Sequence, residues 1–311
     1  MSDAVAAARS LPASIVGVEA GPIAHEIDAR WLMAYAAGLG EDDQRYFDTT
    51  RAGGVLAHPM FAVCYEWPLA LEVRAKAIDP AIWSLGVHAT HRLVIHRPPR
   101  AGDTLMTTAR VLAAEPRRSG TLVTVRFTTV DAAGAPVTTT EYGSVYRGVK
   151  LAGNASGPET TETEDRPGFA GAVPSAGGLG GPFEAPHVID RPVETPHLHV
   201  VDVGAEAAHV YTECARIWNA IHTDAAVAKT AGLPGIILHG TATLALAVSR
   251  VLRHAGVEPD RVRGVRGRFT GMVPLPSRFT VRGGPRGADS VAFDAIGEDG
   301  RSILADGGLD L

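Results

Sequence analysis

The run TATLALAVSRVLRHA at 241–255 is apolar on nearly every face for three helical turns, and Gly256 follows where a helix of that length ends. A surface helix could not tolerate that much apolar side chain, so this one must be enclosed. The segments after it, 262–269, 278–282, 290–296 and 301–309, read as strands separated by turn chemistry. A mostly antiparallel sheet curled around one long helix is therefore expected, an α+β unit.

The same order occurs earlier in the chain. A helix is expected at 29–39, an acidic loop at 40–57 and an apolar helix at 60–75, followed by strands at 90–95, 104–112, 120–130 and 135–148. In the second half, a helix at 205–214 and a loop at 215–238 precede the central helix. Tyr35 stands eleven residues before Tyr46, and Tyr211 eleven before His222; Asp48 and Asp224 each follow two residues on. The loops close on Ala57-His58-Pro59 and Leu238-His239-Gly240, each directly before an apolar helix. These matches predict an internal duplication.

Between the halves, residues 151–196 are enriched in Gly and Pro, with 8 of the chain's 35 Gly and 7 of its 21 Pro, and show no periodicity. A structureless run of that length marks a boundary. The expected organisation is an N-terminal unit at 1–150, a Gly/Pro-rich linker at 151–196 and a C-terminal unit at 197–311.

Net charge is −5, and the 29 basic residues form no dense run, which argues against a nucleic-acid partner. No apolar run long enough to cross a bilayer occurs, and the N-terminus lacks a leader pattern, so neither membrane insertion nor export is expected. The two cysteines, Cys64 and Cys214, lie in no metal-binding or redox pattern and fit a reducing, cytoplasmic compartment. The acidic run Glu41-Asp42-Asp43 has no His or Cys at ligand spacing, and no metal site is expected.

The stretch 211–240, YTECARIWNAIHTDAAVAKTAGLPGIILHG, is the most informative. With Asn219, Ile221, His222, Asp224, Ala228, Ala231-Gly232, Pro234 and Leu238-His239-Gly240 in place, it resembles the signature of the MaoC-like, (R)-specific enoyl-CoA hydratase (hydratase 2) family. Segments 97–105 and 268–282 are similar to the strand entries of that family. The resemblance implies a tandem (double) hotdog fold, with a degenerate first unit and a catalytic second one. It also implies hydration or dehydration of a 2-enoyl or 3-hydroxyacyl thioester, carried on CoA or a carrier protein, in fatty acid or polyketide metabolism, with no dissociable cofactor. A homo-oligomer is compatible with it.

By that resemblance His222 is the acid/base, with a near-neutral imidazole suited to moving a proton. Gly240 offers a backbone N–H at a helix start as oxyanion donor, and Asn219 is the orienting amide. Ile217 and Trp218 are expected to shape the pocket, with His239 and Thr241 beside the substrate. One position departs from the pattern: Ile217 stands where the family has its catalytic Asp. Asp224 and Glu213 are the nearby candidates for a compensating carboxylate, and Asp224 also suits a helix cap. The departure keeps two alternatives open, an altered one-base reaction such as isomerisation or elimination, and a non-catalytic acyl-binding or partner subunit. In the first half Tyr46 takes the His position and Glu41 the Asp position, and Pro59 has no N–H to offer, so no catalytic site is expected there. That half is expected to extend the sheet and wall an acyl tunnel through Phe61, Tyr65 and Trp67, residues that serve equally as core.

Overall fold

Strand β1 (Ser10–Pro12) opens the computed structural model, which describes residues 10–153 and 196–311, so nearly all of the expected linker lies outside the described residues. The first unit continues with β2 (Glu19–Glu26), α1 (Ala29–Gly38), α2 (Ala62–Ala77), β3 (Gly86–Ile95), β4 (Thr104–Arg117), β5 (Gly120–Asp131), β6 (Pro136–Arg147) and β7 (Lys150–Ala152). The second has β8 (His197–Val203), α3 (Ala207–Ala215), α4 (Ala225–Thr230), α5 (Gly240–Ala255), β9 (Gly264–Phe269), β10 (Ser277–Pro285), β11 (Ser290–Gly297) and β12 (Ser302–Asp310).

Short-range chemistry sets the ends of these elements. Asp28 caps α1 by accepting from the Trp31 N–H at 2.7 Å, and Asp224 caps α4 by accepting from Ala226 and Val227. Gly256 stops α5 in the left-handed region, φ 63°. The β5–β6 hairpin turns where Asp131 accepts from the Ala133 and Ala135 N–H groups.

Ten strands form one antiparallel sheet in the order β2-β4-β5-β6-β3-β9-β12-β11-β10-β8. Read outward from the β3–β9 junction, both halves have the same order, third, sixth, fifth, fourth and second strand in one and their counterparts in the other. The duplication expected from the sequence is thus a topological one, with α2 enclosed by the first half-sheet and α5 by the second. At the junction Thr90 pairs with Arg268 and Val94 with Gly264, so two sheets become one. A single apolar core crosses it, joining Tyr35, Phe61 and Leu93 to Tyr211, Leu244 and Val265. On the opposite side of the sheet junction's helices, α1 and α3 pack so closely that a Cβ on Gly38 would fall 2.7 Å from Cβ of Cys214.

Several expectations need adjusting. The outer strands β2 and β8 are absent from the sequence reading. In β2, Gly21-Pro22 sits at a register shift on an edge strand that can spare the missing N–H. The first central helix begins with a 3₁₀ turn, Pro59–Phe61, before α2. Phe61 and Tyr65 are fully buried core residues and leave Trp67 alone of the three expected aromatics in the wall of a cavity.

Candidate active site

His222 closes a 3₁₀ turn, Ala220–His222, whose first backbone bond is the His222 N–H to the Asn219 carbonyl. Its Nδ1 lies 2.8 Å from the Ile237 carbonyl, which can only accept, so Nδ1 carries the proton and Nε2 keeps its lone pair. Burial lowers its pKa to about 4, with the Ile237 bond partly opposing the shift. The ring stacks on His239, centroids 3.7 Å apart and planes 25° from parallel. His239 is itself buried, with Nε2 3.3 Å from Thr212 Oγ1. It is the residue before α5, and so fixes His222 against the start of that helix.

Gly240 is the first residue of α5, where backbone N–H groups precede the helical hydrogen-bond ladder and carry the positive end of the dipole. A Cβ there would stand 3.4 Å from Phe269 Cε1 and 3.6 Å from His88 Nδ1. Glycine therefore leaves a methyl-sized gap between the helix start and these two rings. Next to it, Thr241 accepts from Tyr211 Oη at 3.1 Å, and Tyr211 reaches Tyr35 of the first unit at 3.4 Å.

His88, on β3 of the first unit, is a site residue that the sequence reading missed. Its Nε2 lies 3.0 Å from the Thr90 carbonyl, which places the proton on Nε2 and leaves Nδ1 an acceptor. The ring is stacked on Tyr142, 3.8 Å between centroids, and burial depresses its pKa well below the usual histidine value. No local motif marks it. It reaches the start of α5 only because β3 pairs with β9 across the junction.

These groups face one cavity of about 200 Å³. Its wall brings together Ile217, Asn219, His222, His239, Gly240 and Thr241 from the second unit, and His88, Tyr142 and Trp67 from the first. Three expected residues lie elsewhere. Trp218 is 58% exposed and does not line the cavity; its indole N–H points to the Glu213 carboxylate at 3.5 Å. Glu213 is exposed on the outer face of α3, and Asp224 is exposed and occupied in capping α4. Ile217 is buried at 3% exposure, so the carboxylate position of the pattern is filled by a hydrocarbon. Among the described residues, no cluster of three or more His, Cys, Asp or Glu has the arrangement of a metal site.

The corresponding place in the first unit has been rebuilt. Tyr46 lies 6.0 Å from His58, ring to ring, and burial raises its pKa. His58 accepts from the Met60 N–H through Nδ1 and meets Ser249 of α5 through Nε2 at 3.1 Å, so both its nitrogens are used structurally. Glu41 is paired with Arg253 of α5 at 3.1 Å, and Pro59 closes the helix start. Arg253 is thereby held by Glu41 and Asp42.

Two hotdog units fused through a continuous sheet, with a histidine and a helix N-terminus facing one cavity, define a double-hotdog protein. Residues 185–296 match the model of the MaoC like domain, and residues 14–140 that of the FAS1-like, dehydratase domain region. Both families are dehydratase domains, which are hydro-lyases. The chain is 33% identical over 103 residues to fatty acid synthase subunit beta of Aspergillus oryzae, a match covering 30% of this chain and 5% of that protein. The chain thus spans a small fraction of the length of that relative. A MaoC-like dehydratase from Phytophthora capsici superposes with a TM-score of 0.71 at 22% identity, covering 94% of this chain and 95% of that one. A Mycobacterium tuberculosis protein described as having a double hotdog fold superposes at 0.61 and 15% identity, covering 95% of each chain.

Proposed function

We propose that the protein catalyses the reversible hydration of a 2-enoyl thioester to a 3-hydroxyacyl thioester. One observation carries this reading: the free Nε2 of His222, the open N–H of Gly240 and the free Nδ1 of His88 border the same chamber. In the hydration direction a water donates one hydrogen bond to His222 Nε2 and the other to His88 Nδ1, and its oxygen attacks C3. The new C–O bond forms as the π pair of C2=C3 moves toward the thioester, and the water proton passes to His222 Nε2. The Gly240 N–H receives the charge that develops on the thioester oxygen, an interaction worth roughly 3 kcal/mol where such donors have been removed. His222 then returns its proton to C2, which restores the neutral imidazole and the carbonyl. Dehydration is the reverse sequence.

In this account His88 supplies the second polar grip on water that Ile217 cannot provide, and Asn219 holds the hydroxyl or water from the other side. The substrate is an acyl group on CoA or a carrier protein, and the protein works in the cytoplasm. Loss of the conjugated-thioester absorbance of short 2-enoyl-CoA substrates tests it, with His222→Ala and His88→Ala beside the parent. Activity in the parent that survives His222→Ala unchanged removes this mechanism.

The buried Ile217 favours a second reading, a unit that binds acyl groups without hydrating them. Ile217→Asp separates the two. Hydration gained in that variant, from a parent that has none, supports the binding reading.

A further inference from the structure

The chamber continues from the helix start into the first unit, and its composition there changes. On the face of α2 that lines it, Glu66, Trp67 and Arg74 stand at i, i+1 and i+8 among Val63, Ala70 and Val73. Trp67 Nε1 and Arg74 Nε are sealed from solvent and have no hydrogen-bond partner. The Arg74 guanidinium lies 4.8 Å from the centroid of Trp83, and among the described residues no carboxylate forms an ion pair with it. Glu66 does not neutralise it. That carboxyl is 4% exposed and accepts from Thr140 Oγ1 at 2.5 Å, and burial raises its pKa to about 8, so it is largely uncharged at neutral pH. This end of the chamber therefore presents a half-buried guanidinium with no carboxylate partner beside a sealed indole N–H, donors that an arriving anion would satisfy.

We propose that this end is a carboxylate-binding site, and that the acyl groups taken by the protein carry a second carboxylate at their far end. The proposal deepens the hydratase reading by naming its substrate class, the monothioesters of dicarboxylic acids. Arg74 is suited to the task because a guanidinium meets a carboxylate through two parallel N–H bonds and keeps its charge when partly desolvated. The Arg74 charge acts on both Tyr142 and Tyr146, Tyr142 stacks on His88, and Ser144, between the two tyrosines, pairs with His88. His88 borders the reacting end. The cation and the reacting end therefore share one stretch of the β3–β6 wall, and a short dicarboxylic chain, here of six carbons, is the length to test. An anion could also come from the phosphates of CoA, which the test excludes by omitting them.

Isothermal titration of the full chain with adipoyl-pantetheine and hexanoyl-pantetheine decides the matter. Both are saturated and of equal length, neither contains phosphate, and only one ends in a carboxylate. The parent is expected to bind the adipoyl thioester at least tenfold more tightly. Arg74→Met should bring the ratio to one or below, and Arg74→Lys should keep part of it. Equal or weaker adipoyl binding by the parent, binding of neither thioester, or a ratio unchanged in a folded Arg74→Met overturns the proposal. Loss of CoA affinity in Arg74→Met with equal binding of the two thioesters overturns it too, and assigns Arg74 to phosphate. Because neither thioester can be hydrated, the ratio is read whether or not the protein hydrates enoyl thioesters, and failure of hydration leaves it standing.

Discussion

The two imidazoles of the site owe their usefulness to the carbonyls behind them. Ile237 and Thr90 each take one N–H, and the remaining lone pair of each ring is left for the chamber. His222→Ala should lower kcat by about 10² to 10⁴, the usual worth of a positioned proton carrier, and His88→Ala should do so to a smaller degree. Because burial holds His222 near pKa 4, kcat/KM should stay flat from pH 8 down to about 5 and fall only below that, whereas an ordinary histidine would give a limb near 6.5. A limb at 6.5 in the pH profile would contradict the buried neutral base. Glu66 behaves oppositely. Its folded-state pKa of about 8 lies above the free carboxylate value, so the folded state binds more protons between pH 4.5 and 8 and loses stability as pH rises through that window. Glu66→Gln should therefore raise Tm at pH 8 relative to the parent and change it little at pH 5, as followed by circular dichroism.

At the level of elements, α5 and β3 carry most of the site. Gly240→Ala keeps the backbone N–H but places a methyl 3.4 Å from Phe269 and 3.6 Å from His88, so kcat/KM should fall by about tenfold or more while the Tm remains close to that of the parent. On β3, His91 is 2% exposed and neither ring nitrogen finds a partner. Replacing such a group by an apolar ring of similar size removes an unsatisfied polar burial, and His91→Phe should stabilise the fold by about 1 kcal/mol in denaturant unfolding. The sequence disclosed α5, its Gly256 stop and the Asp224 cap because each is written in adjacent residues. It also marked His222 and Gly240 as candidates, both carried by a contiguous stretch of the second half, and the structure brings both to one cavity. His88 and Arg74 were illegible by the same logic. Each is an isolated polar residue whose role depends on the pairing of β3 with β9 or on a chamber formed between α2 and its sheet. Trp218 shows the converse, since it sits beside pocket residues in sequence yet faces outward, on the other side of the chain as it leaves α3.

For the whole molecule, the decisive feature is that both halves share one sheet and one apolar core. Calorimetric unfolding should accordingly give a single cooperative transition; two resolved peaks would mean that the halves are energetically separate. Acid should destabilise this unit. His58, His91 and His222 are held by burial at about 3, 4 and 4, so between pH 6.5 and 4 the unfolded chain binds protons that the folded one refuses. Stability is then present above pH 6.5 and declines below it, by up to about 1.4 kcal/mol per pH unit for each histidine. The covalent union of the halves has one more consequence. In an assembly of identical subunits every substitution is inherited twice, so a proline that blocks one helix start would block its twin. Here a single gene encodes both units as separate stretches, and Pro59 and Gly240 can occupy equivalent positions without compromise. One unit is free to drift toward recognising a cargo while the other retains the reaction.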